Sequence, residues 1–277
     1  MSARSVATGV WCLPLESSTL PPFDTTNTYL VAHDGVGVII DPGFNGEGSI
    51  DELGALVDGA GVRLVKAVLL THTHGDHTGG LDSVASRFDE PTLYVHPLEL
   101  PRLSSDRARA LTDERVLTVG DLTIRALHTP GHSPGHLCFH LPDSGVVLCG
   151  DLVAGGASVW VGVPEGDMKA YLASLERIAD IEGLQTLGPG HGDLIGDPKG
   201  RLDQARDHRL DREEQVLLAL EEPLRLEALR EAVYGDLAEG LRGPAEATLL
   251  AHLQKLMSEM RVVHLGEDET GPFVVRR

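Results

Sequence analysis

The most informative stretch of the sequence runs from Thr71 to Gly80. It reads Thr-His-Thr-His-Gly-Asp-His-Thr-Gly-Gly and follows an apolar run directly, so three imidazoles and one carboxylate are crowded together. Imidazole and carboxylate groups are the ligands that a borderline divalent cation such as zinc prefers. Placing them on one tight turn is costly unless a cation lies between them. The stretch therefore predicts a metal site; the alternative is a solvated polar loop.

Length and cysteine content limit the class of protein. At 277 residues the chain can form one large domain and a small one. Its cysteines, Cys12, Cys138 and Cys149, form no Cys-x-x-Cys pair, so neither a disulfide framework nor a cysteine zinc site is predicted. The sequence begins without a signal-peptide pattern and has no apolar run long enough to span a membrane. We therefore expect a soluble, cytoplasmic protein.

The charge of the chain argues against two kinds of partner. A formal net charge of −19 disfavours nonspecific binding to nucleic acid and to anionic membranes. Bound divalent cations would offset part of this charge locally. We accordingly expect no duplex DNA and no membrane among the partners.

Hydrophobic periodicity predicts two runs of strands, each followed by helices. Strands are predicted at 4–13, 27–40 with a hairpin turn at 33–35, 65–70, 92–96, 115–119, 122–128, 136–141, 146–149 and 186–188. Helices are predicted at 50–57, from Gly80 to about Phe88 and at 168–181, and a polar insert at 102–110. This order predicts two sheets packed face to face with helices outside, which is an α/β fold of four layers, αββα, over residues 1–200.

The character of the sequence changes at about residue 201. Strand signals stop, and helices are predicted at 202–220, 224–233 and 244–260, with Pro244 in the first turn of the last one. A hairpin is predicted at the end of the chain. Helices followed by a hairpin are the outline of a winged-helix module, so residues 201–277 are predicted as a small, winged-helix-like C-terminal domain.

Three further turns present side chains of the same kind as the opening cluster. His132 follows Gly131, Asp151 follows Gly150 and His191 follows Gly190, each just beyond a predicted strand. Glycine lets the backbone turn sharply and approach an ion closely. The complete candidate set is His72, His74, Asp76, His77, His132, Asp151 and His191. Such a set is large enough for two metals with an open position each.

The motif formed by His72, His74, Asp76 and His77 resembles the His-x-His-x-Asp-His motif of the metallo-β-lactamase-fold hydrolases. The later Gly-His, Gly-Asp and Gly-His elements of that family match His132, Asp151 and His191. The resemblance implies that His72, His74 and His132 bind one metal, that Asp76, His77 and His191 bind the other, and that Asp151 bridges them. It implies two divalent ions, zinc first, with manganese or iron as alternatives. Asp76 would be the catalytic residue and would hold a metal-bound hydroxide.

The C-terminal part carries a second resemblance. Residues 208–215, His-Arg-Leu-Asp-Arg-Glu-Glu-Gln, resemble a helix motif of the β-lactamase-like endoribonuclease subfamily, whose members have a winged-helix-like C-terminal domain. This implies hydrolysis of RNA phosphodiesters in a short single strand. Hydrolysis of a thioester, of the glyoxalase II or acyl-carrier type and so of a small-molecule substrate, competes almost evenly with it. A non-catalytic, metal-bound regulator is the alternative of another class.

The remaining histidines and the C-terminal module receive plainer interpretations. His136 could support a metal ligand, whereas the histidines outside the candidate set are otherwise expected to be structural or exposed. The predicted helix 244–260 has one lysine and two glutamates, too few cations for DNA phosphate contacts. We expect the module either to line one side of the active-site cleft or to form a homodimer contact.

Overall fold

The computed structural model describes residues 2–46, 48–103, 107–266, 268 and 270–276. Within it the chain folds into two compact units. The first unit comprises Met1–Thr129, Gly135–Val159 and Arg177–Arg201, and the second comprises Pro130–Pro134, Trp160–Glu176 and Leu202–Arg277. The domain boundary between residues 200 and 201 stays a prediction.

The first unit contains a seven-stranded sheet whose strands follow one another in chain order. The first four strands pair antiparallel and the last four pair parallel, with the fourth strand belonging to both groups. Asp34 and Gly35 form the predicted hairpin turn, where both residues have a positive φ, of 52° and 80°. The strands are β1 Arg4–Ala7, β2 Val10–Glu16, β3 Thr25–His33, β4 Val36–Ile40, β5 Leu64–Leu69, β6 Thr92–Val95 and β7 Ala108–Ala110.

The same unit contains a five-stranded sheet with the order β12-β11-β10-β9-β8. Its strands pair antiparallel except for β11 and β12, which are parallel. The strands are β8 Val116–Val119, β9 Leu122–His128, β10 Leu137–Leu141, β11 Val146–Gly150 and β12 Thr186–Pro189. The predicted strands of this region are therefore all present.

The core of the first unit lies between the two sheets. Ile40 and Leu69 of the first sheet belong to the same buried cluster as Phe139 and Leu148 of the second. The sheets therefore pack face to face. Apolar side chains on the opposite face of the first sheet pack against two helices, α1 Ser49–Gly59 and α3 Leu81–Arg87. This arrangement follows from strands that are apolar on both faces.

The candidate ligands lie where strands end. Ile40 at the end of β4 is paired with Leu69 at the end of β5, and Gly150 at the end of β11 is paired with Pro189 of β12. The backbone N–H of Leu137, where β10 begins, donates to the carbonyl of Thr71 at 2.8 Å. The turns that follow β4, β5, β11 and β12 are thereby joined, as expected for a site at the carboxyl ends of strands.

The second unit holds most of the predicted C-terminal module. Its core contains Val216, Leu229, Leu249 and Phe273, all buried. Its complete helices and strands are α6 Leu226–Tyr234, α7 Glu239–Ser258, β13 Val262–His264 and β14 Phe273–Val275. Two further helices, α4 Met168–Ala179 and α5 Pro198–Ala219, have residues in both units. The last two strands pair antiparallel and form the predicted terminal hairpin.

The prediction that Pro244 occupies a first helical turn is wrong, because α7 begins at Glu239 and Pro244 lies inside it. Inside a helix a proline removes one hydrogen-bond donor and crowds the carbonyl four residues earlier, which here belongs to Gly240, the second residue of α7. The carbonyl of Pro244 accepts hydrogen bonds from Trp160 Nε1 at 3.2 Å and from Thr248 Oγ1 at 3.0 Å. The first contact joins distant parts of the chain and the second lies within the helix. Neither can be recognised from the hydrophobic periodicity of the sequence.

The polar insert predicted at 102–110 contains the strand β7, which pairs parallel with β6. Ser104, Ser105 and Asp106 of this insert lie outside the described residues. A strand as short as Ala108–Ala110 has no recognisable alternation, since its formation depends on the neighbouring strand that pairs with it. Across the described ranges, the helices are either too short or too polar to cross a membrane.

Candidate metal centre

The histidine turn, residues 71–78, leaves β5 at its carboxyl end and enters a short helix, α2 Gly75–Thr78. His72 and His77 are completely buried, whereas His74 and Asp76 are half-buried. The backbone N–H of His77 donates to the carbonyl of His74 at 2.9 Å and closes the turn. The spacing of the motif therefore places four ligand-type side chains on one compact turn.

Four of the predicted ligand residues converge tightly in the first unit. His77 Nε2 lies 3.3 Å from His191 Nε2 and 3.4 Å from Asp151 Oδ1. His191 Nε2 lies 3.4 Å from Asp76 Oδ2 and 3.5 Å from Asp151 Oδ1. Ligands around one tetrahedral zinc ion, each about 2.0–2.2 Å from it, are about 3.3–3.6 Å apart. The donor set and its separations thus fit a single divalent cation.

A second group of ligand atoms adjoins the first. His72 Nε2 and His74 Nδ1 are 3.0 Å apart. Ligand atoms of His72, His77 and Asp151 also lie within 4.8 Å of one another. Asp151 therefore lies between the two groups, where one carboxylate could serve two cations.

His132 lies on the segment Pro130–Pro134, which belongs to the second unit. Its side chain is nearly buried, with 4% exposed, and Nδ1 lies 2.7 Å from the carbonyl oxygen of Trp160. That oxygen can only accept, so Nδ1 carries the proton and Nε2 is left as the ligand-type nitrogen. The part that His132 plays beside His72 and His74 stays a prediction.

Asp41, at the end of β4, supports the site and was not identified from the sequence. Its Oδ1 accepts from the backbone N–H of Thr71 at 2.8 Å, and its Oδ2 accepts from Thr71 Oγ1 at 2.6 Å. Oδ2 also lies 2.8 Å from His77 Nδ1. A carboxylate at Nδ1 orients the ring and leaves Nε2 to bind a cation. The only local signal was an aspartate at a strand end, next to Pro42.

His136 supports Asp151, as the sequence interpretation allowed. His136 Nε2 accepts from the backbone N–H of Asp151 at 3.1 Å. The other ring nitrogen, Nδ1, is then the protonated one and lies 2.9 Å from Thr129 Oγ1. His136 is fully buried, so this bond fixes the backbone that carries Asp151.

The pKa values of the cluster reflect its mixture of charges. Burial alone would raise the pKa of Asp76, but a hydrogen bond with His191 and the charge of His77 lower it to about 2. Burial alone would lower the pKa of His77, but the charges of Asp151 and Asp41 raise it well above its usual value. The pKa of His191 is raised in spite of burial, chiefly by the charge of Asp151. A cation would replace the protons that these rings hold.

Gly190 leaves space that the site requires. A Cβ atom at this position would lie 2.5 Å from Asp151 Oδ1 and 2.7 Å from His77 Cε1. Such contacts are too short for any side chain. The absence of a side chain at residue 190 therefore permits the close approach of the strand end to Asp151 and His77.

Comparison with known families agrees with this geometry. The profile of the metallo-beta-lactamase superfamily matches residues 21–191, and the profile of the beta-lactamase associated winged helix domain matches residues 226–270. The predicted fold class is thereby confirmed, as is the winged helix in the C-terminal part.

Two curated relatives illustrate the likeness in sequence. An atrochrysone carboxyl ACP thioesterase from Aspergillus chevalieri is 37% identical over 197 residues, covering 71% of this chain and 61% of that protein. The chain thus matches only about three fifths of that relative's length. A beta-lactamase-like protein 2 homolog from Drosophila melanogaster is 30% identical over 261 residues, covering 88% of this chain and 87% of that protein.

Solved structures show the same likeness. A beta-lactamase domain protein from Burkholderia ambifaria matches with a TM-score of 0.85 and 25% identity, covering 99% of this chain and 93% of that one. TTHA1623, solved in a di-iron-bound form, matches with a TM-score of 0.55 and 32% identity, covering 71% of this chain and 97% of that one. The profile, the relatives and the converging histidines and aspartates together show that this chain belongs to the metallo-beta-lactamase superfamily.

Proposed function

We propose that the chain is a dinuclear, metal-dependent hydrolase that cleaves acyl thioesters. The observation that carries the hydrolytic part is the convergence of Asp76, His77, Asp151 and His191, whose ligand atoms lie 3.3–3.5 Å apart. These residues would hold one cation. His72, His74 and His132 would hold the other, with Asp151 between them. Zinc suits this donor set, and the di-iron form of TTHA1623 supports iron as an alternative.

The cations would lower the pKa of water to about 7, so that hydroxide is available at neutral pH. The chain's own residues would then position the reactants. Because its pKa is about 2, Asp76 is ionised at neutral pH and can accept a hydrogen bond from the attacking water. Asp41 and His136 would keep His77 and Asp151 in place during turnover.

Three observations support a thioester as the substrate. The A. chevalieri relative is named as a thioesterase of an acyl carrier protein. The Phe23 ring stacks on His191 with a centroid distance of 5.6 Å, and neighbouring Leu20 is 64% exposed, so apolar surface lies beside the site. Such surface suits an acyl chain better than a phosphodiester backbone. The net charge of −19 also disfavours a polyanionic substrate.

Cleavage of RNA phosphodiesters is the second candidate. It is favoured by the helix motif at residues 208–215, which resembles that of the β-lactamase-like endoribonuclease subfamily. A short single strand would be held mainly by the cations, because this chain offers few basic residues. Hydroxide made available by the two cations could attack either phosphorus or a carbonyl carbon, so only the substrate distinguishes the two candidates.

A substrate panel distinguishes them. The metal-loaded protein would be assayed with acyl-coenzyme A and acyl-carrier thioesters, S-lactoylglutathione, short single-stranded RNA and a bis-aryl phosphodiester. We expect thioester turnover that a chelator abolishes and added zinc or iron restores. The Asp76→Ala variant should lose most of this activity, a far larger effect than its loss of stability. Turnover of RNA with inert thioesters would overturn the thioester assignment, and no chelator-sensitive hydrolysis of any kind would overturn the proposal as a whole.

A further inference from the structure

We propose that Glu99 is a positioning residue, and that it ties the histidine turn to the loop between β9 and β10. The cation affinity of the site would then depend on a residue that binds no cation. This inference rests on the proposed function, since it assumes that the turn holds metal ions. Glu99 was not singled out from the sequence, where it lies in the stretch between β6 and the polar insert.

Glu99 is a completely buried carboxylate that joins two distant segments. Its Oε2 accepts from Thr73 Oγ1 at 2.5 Å, and its Oε1 accepts from the backbone N–H of Gly135 at 2.9 Å. Hydrogen bonds to an ionised carboxylate are stronger than those between neutral groups. Both oxygens of one side chain thus connect segments that lie far apart in the sequence.

The segment around Thr73 carries candidate ligands, and the segment around Gly135 carries a residue that holds a candidate ligand in place. Thr73 lies between His72 and His74 in the chain, so a bond to its side chain restrains the backbone of both. Gly135 directly precedes His136, which accepts the backbone N–H of Asp151. Glu99 consequently restrains the histidine turn on one side and the support of Asp151 on the other.

The packing at Gly135 shows that this approach is close. A Cβ atom at Gly135 would lie 2.6 Å from Glu99 Cγ and 3.0 Å from His96 Nδ1. The loop backbone therefore rests directly on the carboxylate, with no room for a side chain. The backbone of Glu99 is held as well, because its N–H donates to the carbonyl of His96 at 2.9 Å.

The burial of this carboxylate is costly and needs an explanation. Removing a charged group from water is unfavourable unless hydrogen bonds satisfy it. An apolar side chain would fill the same space without that cost. The matched donors, one from each segment, indicate that the geometry of the two segments is what the glutamate provides. Supports of metal ligands typically change metal affinity about 10- to 100-fold when they are removed.

Metal affinity tests the inference without relying on turnover. Zinc would be titrated into the chelator-stripped full chain in competition with a chromophoric chelator. We expect Glu99→Ala and Thr73→Val each to weaken zinc binding about 10-fold or more, and the double variant to weaken it little further, because both remove the same link. Glu99→Gln should keep most of the affinity, since its carbonyl can accept from Gly135 and its amide can donate to the Thr73 hydroxyl.

Glu213→Ala is the matched control. Glu213 is also buried, with 2% exposed, and accepts a hydrogen bond from Lys255 at 2.8 Å, but it lies on α5 in the second unit. This variant should lose stability and keep its zinc affinity. Unchanged affinity in both Glu99→Ala and Thr73→Val, or an equal loss in Glu213→Ala, would overturn the role of Glu99 alone. A wild-type chain that takes up no cation would overturn the proposed function and this inference together.

Discussion

Individual residues that hold no cation make up much of this site. Asp41 orients His77, His136 holds the backbone of Asp151, and Gly190 leaves room for both. Each acts through close contacts with a candidate ligand. The set of predicted ligands is consequently only the visible part of a larger arrangement in which small displacements change the distances between ligand atoms.

Gly190 offers a direct test of this dependence. In Gly190→Ala, the new methyl group must displace Asp151 or His77, since it would lie 2.5 Å from Asp151 Oδ1. Overpacking of this kind costs about 1–3 kcal/mol. If this cost falls on the metal-bound state, it lowers metal affinity about 5- to 150-fold. Zinc titration of the stripped protein would measure it.

Gly196→Ala is the control for that change. Nothing lies within 4 Å of a Cβ atom at Gly196, and its φ is not in the left-handed region. Its zinc affinity should equal that of the wild type. Wild-type affinity in Gly190→Ala would show that Asp151 and His77 tolerate the displacement, and that the close approach has no role in the site.

The loop between β2 and β3 is the element that brings apolar surface to the site. Thr19 Oγ1 lies 3.5 Å from His191 Nε2, and Phe23 stacks on the same imidazole. Leu20 is exposed although it is apolar. A single exposed leucine is common on protein surfaces, but this one lies in the same loop as the ring that stacks on His191. We therefore assign acyl-chain recognition to this loop within the proposed function.

Replacement of Phe23 should separate recognition from chemistry. Phe23→Ala removes apolar contact area, so kcat/KM for a long acyl thioester should fall about tenfold, which corresponds to about 1.4 kcal/mol. For an acetyl thioester it should change much less. Leu64→Ala is the control, because Leu64 is 55% exposed and begins β5, at the end opposite the histidine turn. Equal losses for long and short chains would assign Phe23 to the support of His191 instead.

At the scale of the whole molecule, polar and charged side chains lie in the interior as well as on the surface. The net charge is −19, yet the second unit buries His252 completely, next to Glu213. His252 Nδ1 lies 3.6 Å from Glu213 Oε1, which is too long for a hydrogen bond, and Lys255 forms an ion pair with the same glutamate at 2.8 Å. His252 was predicted to be structural or exposed, and the structure shows it to be buried.

This histidine should make the stability of the chain depend on pH. Burial lowers the pKa of His252, and the charges of Arg209 and Lys255 add to this, whereas Glu213 opposes it. The folded state therefore binds fewer protons than the unfolded state below the ordinary histidine pKa of about 6.5. The free energy of unfolding that depends on neutral His252 is fully present above about pH 6.5. It is lost as the pH falls from there towards and through the lowered pKa of the folded state.

Denaturant unfolding at pH 7.5 and pH 5.5 would measure this contribution. His252→Leu should make the free energy of unfolding less dependent on pH, by at most about 1.4 kcal/mol per pH unit. The other histidines with lowered pKa values, His96, His140 and His208, remain in both proteins and cancel in the comparison. An identical pH dependence in wild type and variant would show that His252 binds the same number of protons in the folded and unfolded states over this range, contrary to the prediction.

Much of the fold was predictable because its signals are local. The apolar run 65–70 became β5, and the Asp-Gly turn joined β3 to β4, since both depend on residues adjacent in the chain. The beginning of α7 and the strand β7 were not predictable in this way. Each depends on contacts with residues distant in sequence, such as Trp160 with Pro244, or β6 with β7.

The sequence by itself determined the candidate ligands and their order, because ligand chemistry belongs to the side-chain type and the turns that present them are encoded locally by glycine and strand ends. The tertiary structure decided which of these atoms converge, at separations of 3.3–3.5 Å among Asp76, His77, Asp151 and His191. It also decided that Asp41 and Glu99 hold them, since a hydrogen bond between segments far apart in the chain exists only once folding has brought those segments together.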